Sequence, residues 1–170
     1  MKSHFVLKIG AVLGLGLVTT AAWSQQSSEA AVTIGEVKYA FTLNAEQSDW
    51  SGSTNFPSIS IALAAGDEAR EHGFFSLRFG FEMGGGQIRG AEAKLLRRSG
   101  DATESLYCED ETESGGLLVE VESAVQNGDS LSIEGRISCL LGTSENYGRD
   151  IDLSDPLDVS ANYTLVLKKL

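Results

Sequence analysis

Two clusters of carboxylates are the densest chemical groups in the chain: Glu109, Asp110, Glu111 and Glu113 in one stretch, and Asp150, Asp152, Asp155 and Asp158 in another. Paired carboxylates cleave glycosidic bonds when two of them stand about 5 to 10 Å apart across a cleft and burial raises the pKa of one. Acids crowded into exposed turns are not set apart in that way. A glycan hydrolase is therefore an alternative here, and a solvated acidic loop the first expectation. A hard cation suits the same residues better than catalysis, because calcium takes six to eight oxygens from flexible loops. Asp150-Ile151-Asp152-Leu153-Ser154 begins as a calcium loop does, but Asp155 stands where the EF-hand turn needs glycine and Ala161 where a bidentate glutamate belongs. What remains is a Ca2+ ion held between loops by Asp150, Asp152 and Asp155, which would make the chain a calcium-dependent surface protein. No other cofactor is expected.

Nucleophilic chemistry has little to work with. His72 is the only histidine beyond residue 24, and no G-x-S-x-G setting marks a serine for it to activate. It reads as a surface histidine in the polar segment from Gly66 to Gly73. Gly84-Gly85-Gly86 lacks the lysine and following helix of a phosphate-binding loop and reads as a turn. No catalytic residue is assigned. Cys108 and Cys139 are the only cysteines; without C-x-x-C spacing or nearby histidines they are expected to form a disulfide, closing a loop of about 30 residues.

Three aromatic residues are the ligand-binding candidates. Trp50 and Phe56 fall in the segment from Asn44 to Phe56, and Tyr147 in the segment from Gly142 to Pro156. Rings beside polar groups stack on sugars or anchor a protein partner. For Trp50 the stronger expectation is that it tucks under its loop and seals one end of the fold.

These residues need a frame and a compartment. Lys2 and Lys8 flank the start of an apolar stretch, Ile9 to Ala22, that ends on Ala22-Trp23-Ser24 before Gln25-Gln26-Ser27-Ser28. This is the pattern of a secretory signal peptide over residues 1–24. Its apolar part is shorter than the roughly 20 residues a bilayer-spanning helix needs, so no stable membrane anchor is expected. Residues 25–170 then form one domain, exported to the periplasm or the extracellular space. Losing Lys2 and Lys8 and no acid takes the formal charge from −11 to −13. Such a surface repels phosphate backbones and anionic headgroups, which argues against nucleic acid as a partner.

Apolar residues recur at every second position, the period of a half-buried strand. Val37, Tyr39, Phe41 and Leu43 show it, as do Ile59, Ile61 and Leu63, and the aromatic set Phe75, Leu77, Phe79 and Phe81. Further strands are expected from Ile88 to Arg97 and from Leu106 to Cys108. Leu117, Val119 and Val121 oppose Leu131, Ile133, Gly135, Ile137 and Cys139 in a hairpin, and the last strand runs from Leu157 to Leu167. For the hairpin, a three-residue loop with left-handed Gly128 pairs Val121 with Ile133 and keeps both apolar sets on one face. About eight strands and no amphipathic helix predict an all-β fold, an antiparallel β-sandwich with an eight-stranded β-barrel as the alternative. On such a frame the long loops carry recognition. The expected function is a non-catalytic binding or interaction module for a protein or glycan.

Overall fold

The computed structural model describes residues 28–53, 55–110 and 116–170. The signal-peptide pattern over residues 1–24 and the acids Glu111 and Glu113 lie outside them. Ten strands and one short helix follow in order: β1 (Glu29–Ile34), β2 (Val37–Leu43), β3 (Asp49–Ser53), β4 (Phe56–Ala65), α1 (Asp67–Glu71), β5 (Phe74–Gly84), β6 (Gln87–Ser99), β7 (Ala102–Glu109), β8 (Leu118–Asn127), β9 (Ser130–Thr143) and β10 (Asp152–Lys169). The all-β class holds, with ten strands in place of eight. No helix among the described residues is long and apolar enough to cross a membrane.

Long ladders divide the strands into two groups of five, β2-β1-β10-β9-β8 and β3-β4-β5-β6-β7. Short joints connect the groups. β2 meets β4 through Phe41↔Ala65, Thr42↔Ala64 and Leu43↔Leu63, and β7 meets β9 through Leu106↔Thr143 and Tyr107↔Gly142. β3 also runs parallel to the end of β10 over Lys168↔Asp49 and Lys169↔Trp50, an exception to the antiparallel rule. The two ladder groups are a feature of sandwiches, and the joints complete a pairing circuit through β1, β2, β4, β5, β6, β7, β9 and β10, a feature of barrels.

The alternating residues do what their period requires. Leu77, Phe79 and Phe81 of β5 meet Ile133, Ile137, Val159, Tyr163 and Leu165 in one buried core, with the Phe79 and Tyr163 rings 5.3 Å apart. Phe75 leaves this set, because the β5–β6 register shifts between Phe74 and Ser76; its ring is half-buried beneath the Arg98 guanidinium. In β1 and β7 the inward set is even-numbered: Ala30, Val32 and Ile34, then Leu106 and Cys108.

The β8–β9 hairpin keeps its faces by a different device from the expected three-residue loop. Asn127 pairs with Ser130 around a two-residue Gly128-Asp129 turn, with Gly128 at φ 61°. That register alone would turn the apolar sets to opposite faces. A shift between Val121 and Ser123 absorbs one residue, so Val121 pairs with Gly135 and Val119 with Ile137. Arg136 then opposes Glu120 and pairs with its carboxylate at 2.7 Å.

At Gly135 the missing side chain is filled from across the strand pair. Tyr163 lies directly opposite, and a Cβ at Gly135 would stand 2.9 Å from its hydroxyl oxygen and collide with the Glu120 carbonyl. An aromatic ring covering a sheet glycine restores packing that glycine forfeits.

Candidate functional site

The two long segments read as loops are shorter than expected. Asn44 to Phe56 contains β3, which pairs with β4 through Trp50↔Ile59. Between Gly142 and Pro156, β9 extends to Thr143 and β10 begins at Asp152, leaving residues 144–151 as the connection. Pro156 falls where the β9–β10 register shifts, between Asp152 and Leu157, and proline has no N–H to give a ladder.

The three aromatic candidates do not form one site. Trp50 is 1% exposed, and its Nε1 donates to the Asp129 carbonyl at 3.2 Å. With Lys169 Nζ 5.1 Å above its ring, it plugs the end of the core where β3 meets β10 and the β8–β9 turn. The expected seal is therefore what the geometry provides, and Trp50 presents no ring to a ligand. Phe56 is 66% exposed and packs one edge of its ring against Gly84, where a Cβ would approach a ring carbon to 2.6 Å. Tyr147 is 88% exposed and stands elsewhere, above the outer face of β4–β7.

That outer face is built by register. Ala62, Arg78, Lys94 and Tyr107 form one cross-strand row, and Ser60, Gly80, Glu92 and Glu109 form the next. Their neighbours along each strand, including Ile61, Phe79, Ala93 and Cys108, point into the core. Ser58, Ser60 and Gly80 keep the floor low. Gln47 on one side, which accepts a hydrogen bond from Arg78 Nη2, and Tyr147 on the other raise the rims. The result is a depression of about 580 Å3, within the usual size of small-ligand sites.

The Tyr147 loop is locked in place. Gly148 N donates to Ser144 Oγ at 2.8 Å, Asp150 N donates to Asn146 Oδ1 at 2.9 Å, and Asn146 Nδ2 donates to the Asp150 carboxylate. Tyr147 itself sits at φ 62°, a left-handed conformation that costs a non-glycine residue roughly 1 kcal/mol or more. Gly148 packs against Tyr107, where a Cβ would lie 3.2 Å from the ring. Tyr107 in turn has Lys94 Nζ 5.2 Å from its ring centre. Neither Tyr107 nor Lys94 was marked by spacing in the sequence. Their only signal was an outward position on strands whose partners were unknown.

Asp110, Asp150, Asp152, Asp155 and Asp158 are exposed, and Glu109 is half-buried. No Asp or Glu is buried among the described residues. Asp150 is engaged by Asn146, and Asp152 accepts Ser154 N at 2.8 Å, which holds its carboxyl below the ordinary value. Asp155 is exposed in the irregular start of β10. Among the described residues no three carboxylate, imidazole or thiol groups converge as ligands for a metal ion. His72 ends α1, with Nδ1 donating to the Glu68 carbonyl at 2.9 Å.

Cys108 and Cys139 are both buried, and their side chains share a hydrogen bond and no covalent bond. That hydrogen bond, and then burial, hold the Cys139 thiol well above its usual range. Comparison of the chain with protein-family models, with curated proteins and with solved structures finds no match in any of the three.

Proposed function

We propose that this chain is an exported, non-catalytic β protein that binds an extended glycan across the outer face of β4–β7. The observation that carries the proposal is Tyr147, held at positive φ by its own loop and 88% exposed above the depression. Backbone strain in an ordered loop is retained where the presented side chain has a use. Tyr147 and Tyr107 offer two ring faces to the apolar side of a sugar. Arg78, Lys94, Glu92 and Ser60 supply donors and acceptors for its hydroxyls, and with Glu82 and Glu109 the depression sets two cations beside three carboxylates. Export rests on the pattern of residues 1–24. A protein partner docking on the same rings is the alternative, and it would bury a larger area around them.

A glycan array probed with the purified protein, beside capture of partners from its own envelope or medium, tests the proposal. Binding of neutral or mixed-charge oligosaccharides, weakened about thirtyfold or more by Tyr147→Ala as expected for a hot-spot ring, supports it. An array without binding, or binding indifferent to Tyr147 and Tyr107, overturns it. Recovery of a protein that Tyr147→Ala releases would move the assignment to the protein alternative.

A further inference from the structure

The β7–β9 joint is made of only two residue pairs, Leu106↔Thr143 and Tyr107↔Gly142. Beyond it the strands part: Cys108 pairs with Ala93 of β6, and Cys139 pairs with Val159 of β10. Each cysteine is thus fixed in a different ladder group, and the two side chains meet inside the corner, at 1% and 6% exposure. They are the only cysteines in the chain. We infer that Cys108 and Cys139 form a cystine that staples the two ladder groups beside this short joint, made while the chain folds and closed to reductant afterwards.

The chemistry requires an oxidant with an exchangeable disulfide, either a dithiol oxidoreductase of an oxidising compartment or glutathione disulfide. The thiolate of one cysteine attacks the oxidant's disulfide, forming a mixed disulfide and releasing one oxidant thiol. The other cysteine's thiolate then attacks the mixed disulfide, forming the Cys108–Cys139 bond and releasing the second thiol. Two protons leave the cysteines and two electrons pass to the oxidant. Both attacks need an accessible thiolate, which burial in the folded corner denies. Exchange therefore belongs to the open chain, and the finished bond is a latch and not a reversible switch. Its position has a further consequence: Tyr107 lies on β7 and Tyr147 on the loop leaving β9, so the staple holds the two rings of the proposed glycan site together.

Refolding the purified protein with reduced and oxidised glutathione, followed by intact mass and by alkylation in denaturant, tests the bond. The expected product is lighter by two hydrogens and has no alkylatable thiol. Native protein should keep the bond in dithiothreitol and lose it once denaturant is added. Oxidised protein should exceed reduced protein by a few hundredfold in its folding equilibrium constant, the effect of closing a loop of about 30 residues. Amide exchange at residues 106–108 and 140–143 should accelerate in Cys108→Ala/Cys139→Ala more than exchange in the β1–β10 ladder. Two alkylatable thiols after refolding would overturn the bond; reduction equally fast with and without denaturant would overturn the latch. The mass measurement is made on the unmodified chain, so a variant that fails to fold leaves it decisive. None of these readouts involves a glycan, so the latch and the proposed function fail separately.

Discussion

Replacing Trp50 separates its two expected roles, plug and ligand contact. At 1% exposure nearly the whole side chain is removed from water. An aromatic side chain of about 150 to 250 Å2 at about 25 cal/mol per Å2 corresponds to roughly 4 to 6 kcal/mol of burial. Partial collapse around the alanine, whose Cβ stays buried, brings Trp50→Ala to the observed range for such truncations, about 3 to 5 kcal/mol. Trp50→Phe keeps a ring and loses the donor to Asp129. That carbonyl also accepts Lys169 N at 2.8 Å, so it stays bonded, and the hydrogen-bond loss falls at the low end of about 0.5 to 1.5 kcal/mol. The assay is urea unfolding followed by far-ultraviolet circular dichroism, since the substitution removes the one tryptophan beyond residue 24 as a fluorescence probe. Binding is measured in parallel on the Phe variant, where the fold is retained and affinity should be unchanged. A loss of less than about 1 kcal/mol for Trp50→Ala, or a Trp50→Phe protein that folds normally and no longer binds, would refute the plug.

Four further outcomes are expected. Gly135→Ala should destabilise by about 1 to 3 kcal/mol, because the new Cβ meets the Glu120 carbonyl, which cannot yield without breaking the β8–β9 ladder; urea midpoints measure this. Tyr163, 2% exposed, has its phenol pushed up by burial and then by the Glu122 charge. A raised folded pKa leaves stability intact below the unfolded value near 10 and removes it as pH rises through the folded one, at up to about 1.4 kcal/mol per pH unit. Tyr163→Phe should flatten that alkaline loss in unfolding curves measured above pH 10, and an unchanged slope would count against burial as its cause. Asp152 titrates below 3.8 because Ser154 bonds its charged form, so its contribution is present above that value and is lost as pH falls further; carboxyl NMR titration of wild type and Ser154→Ala checks the sign. Calcium and chelator should leave the melting temperature unchanged, because Asp150 and Asp152 are engaged by their own loop and Asp155 is exposed; a calcium-dependent shift would restore a cation between these loops.

Strands with large side chains at every second residue were legible as sequence. β4, β5, β9 and β10 bury Ile59, Ile61, Phe79, Phe81, Ile133 and Leu165 as the period required. β1 was not, because its inward set opens with Ala30 and its outward set includes Ala31, which gives little contrast between faces. β3 reads Asp-Trp-Ser-Gly-Ser and carries a single large apolar residue. Register was harder still. Gly128 was correctly placed in a left-handed turn, yet the parity of the β8–β9 hairpin is set by a shift near Glu122, and side-chain periodicity does not locate such shifts.

The site followed the same division. Tyr147 stood out as an aromatic residue among polar ones. The face beneath it depends on Arg78 lying beside Lys94, Lys94 beside Tyr107, and Gly80 between Ser60 and Glu92, all of which are cross-strand facts. Trp50 and Phe56, close in sequence, part because β3 turns one into the core and the first residue of β4 sets the other against Gly84.

Backbone-amide NMR mapping of a bound oligosaccharide tests the central claim most directly. The glycan account predicts shifts concentrated at Gly80, Glu92, Lys94, Tyr107 and residues 146–148, and their loss in Tyr147→Ala with the rest of the spectrum preserved. Shifts gathered around Phe56 and Gly84 or along β8, with the outer face of β4–β7 undisturbed, would contradict it.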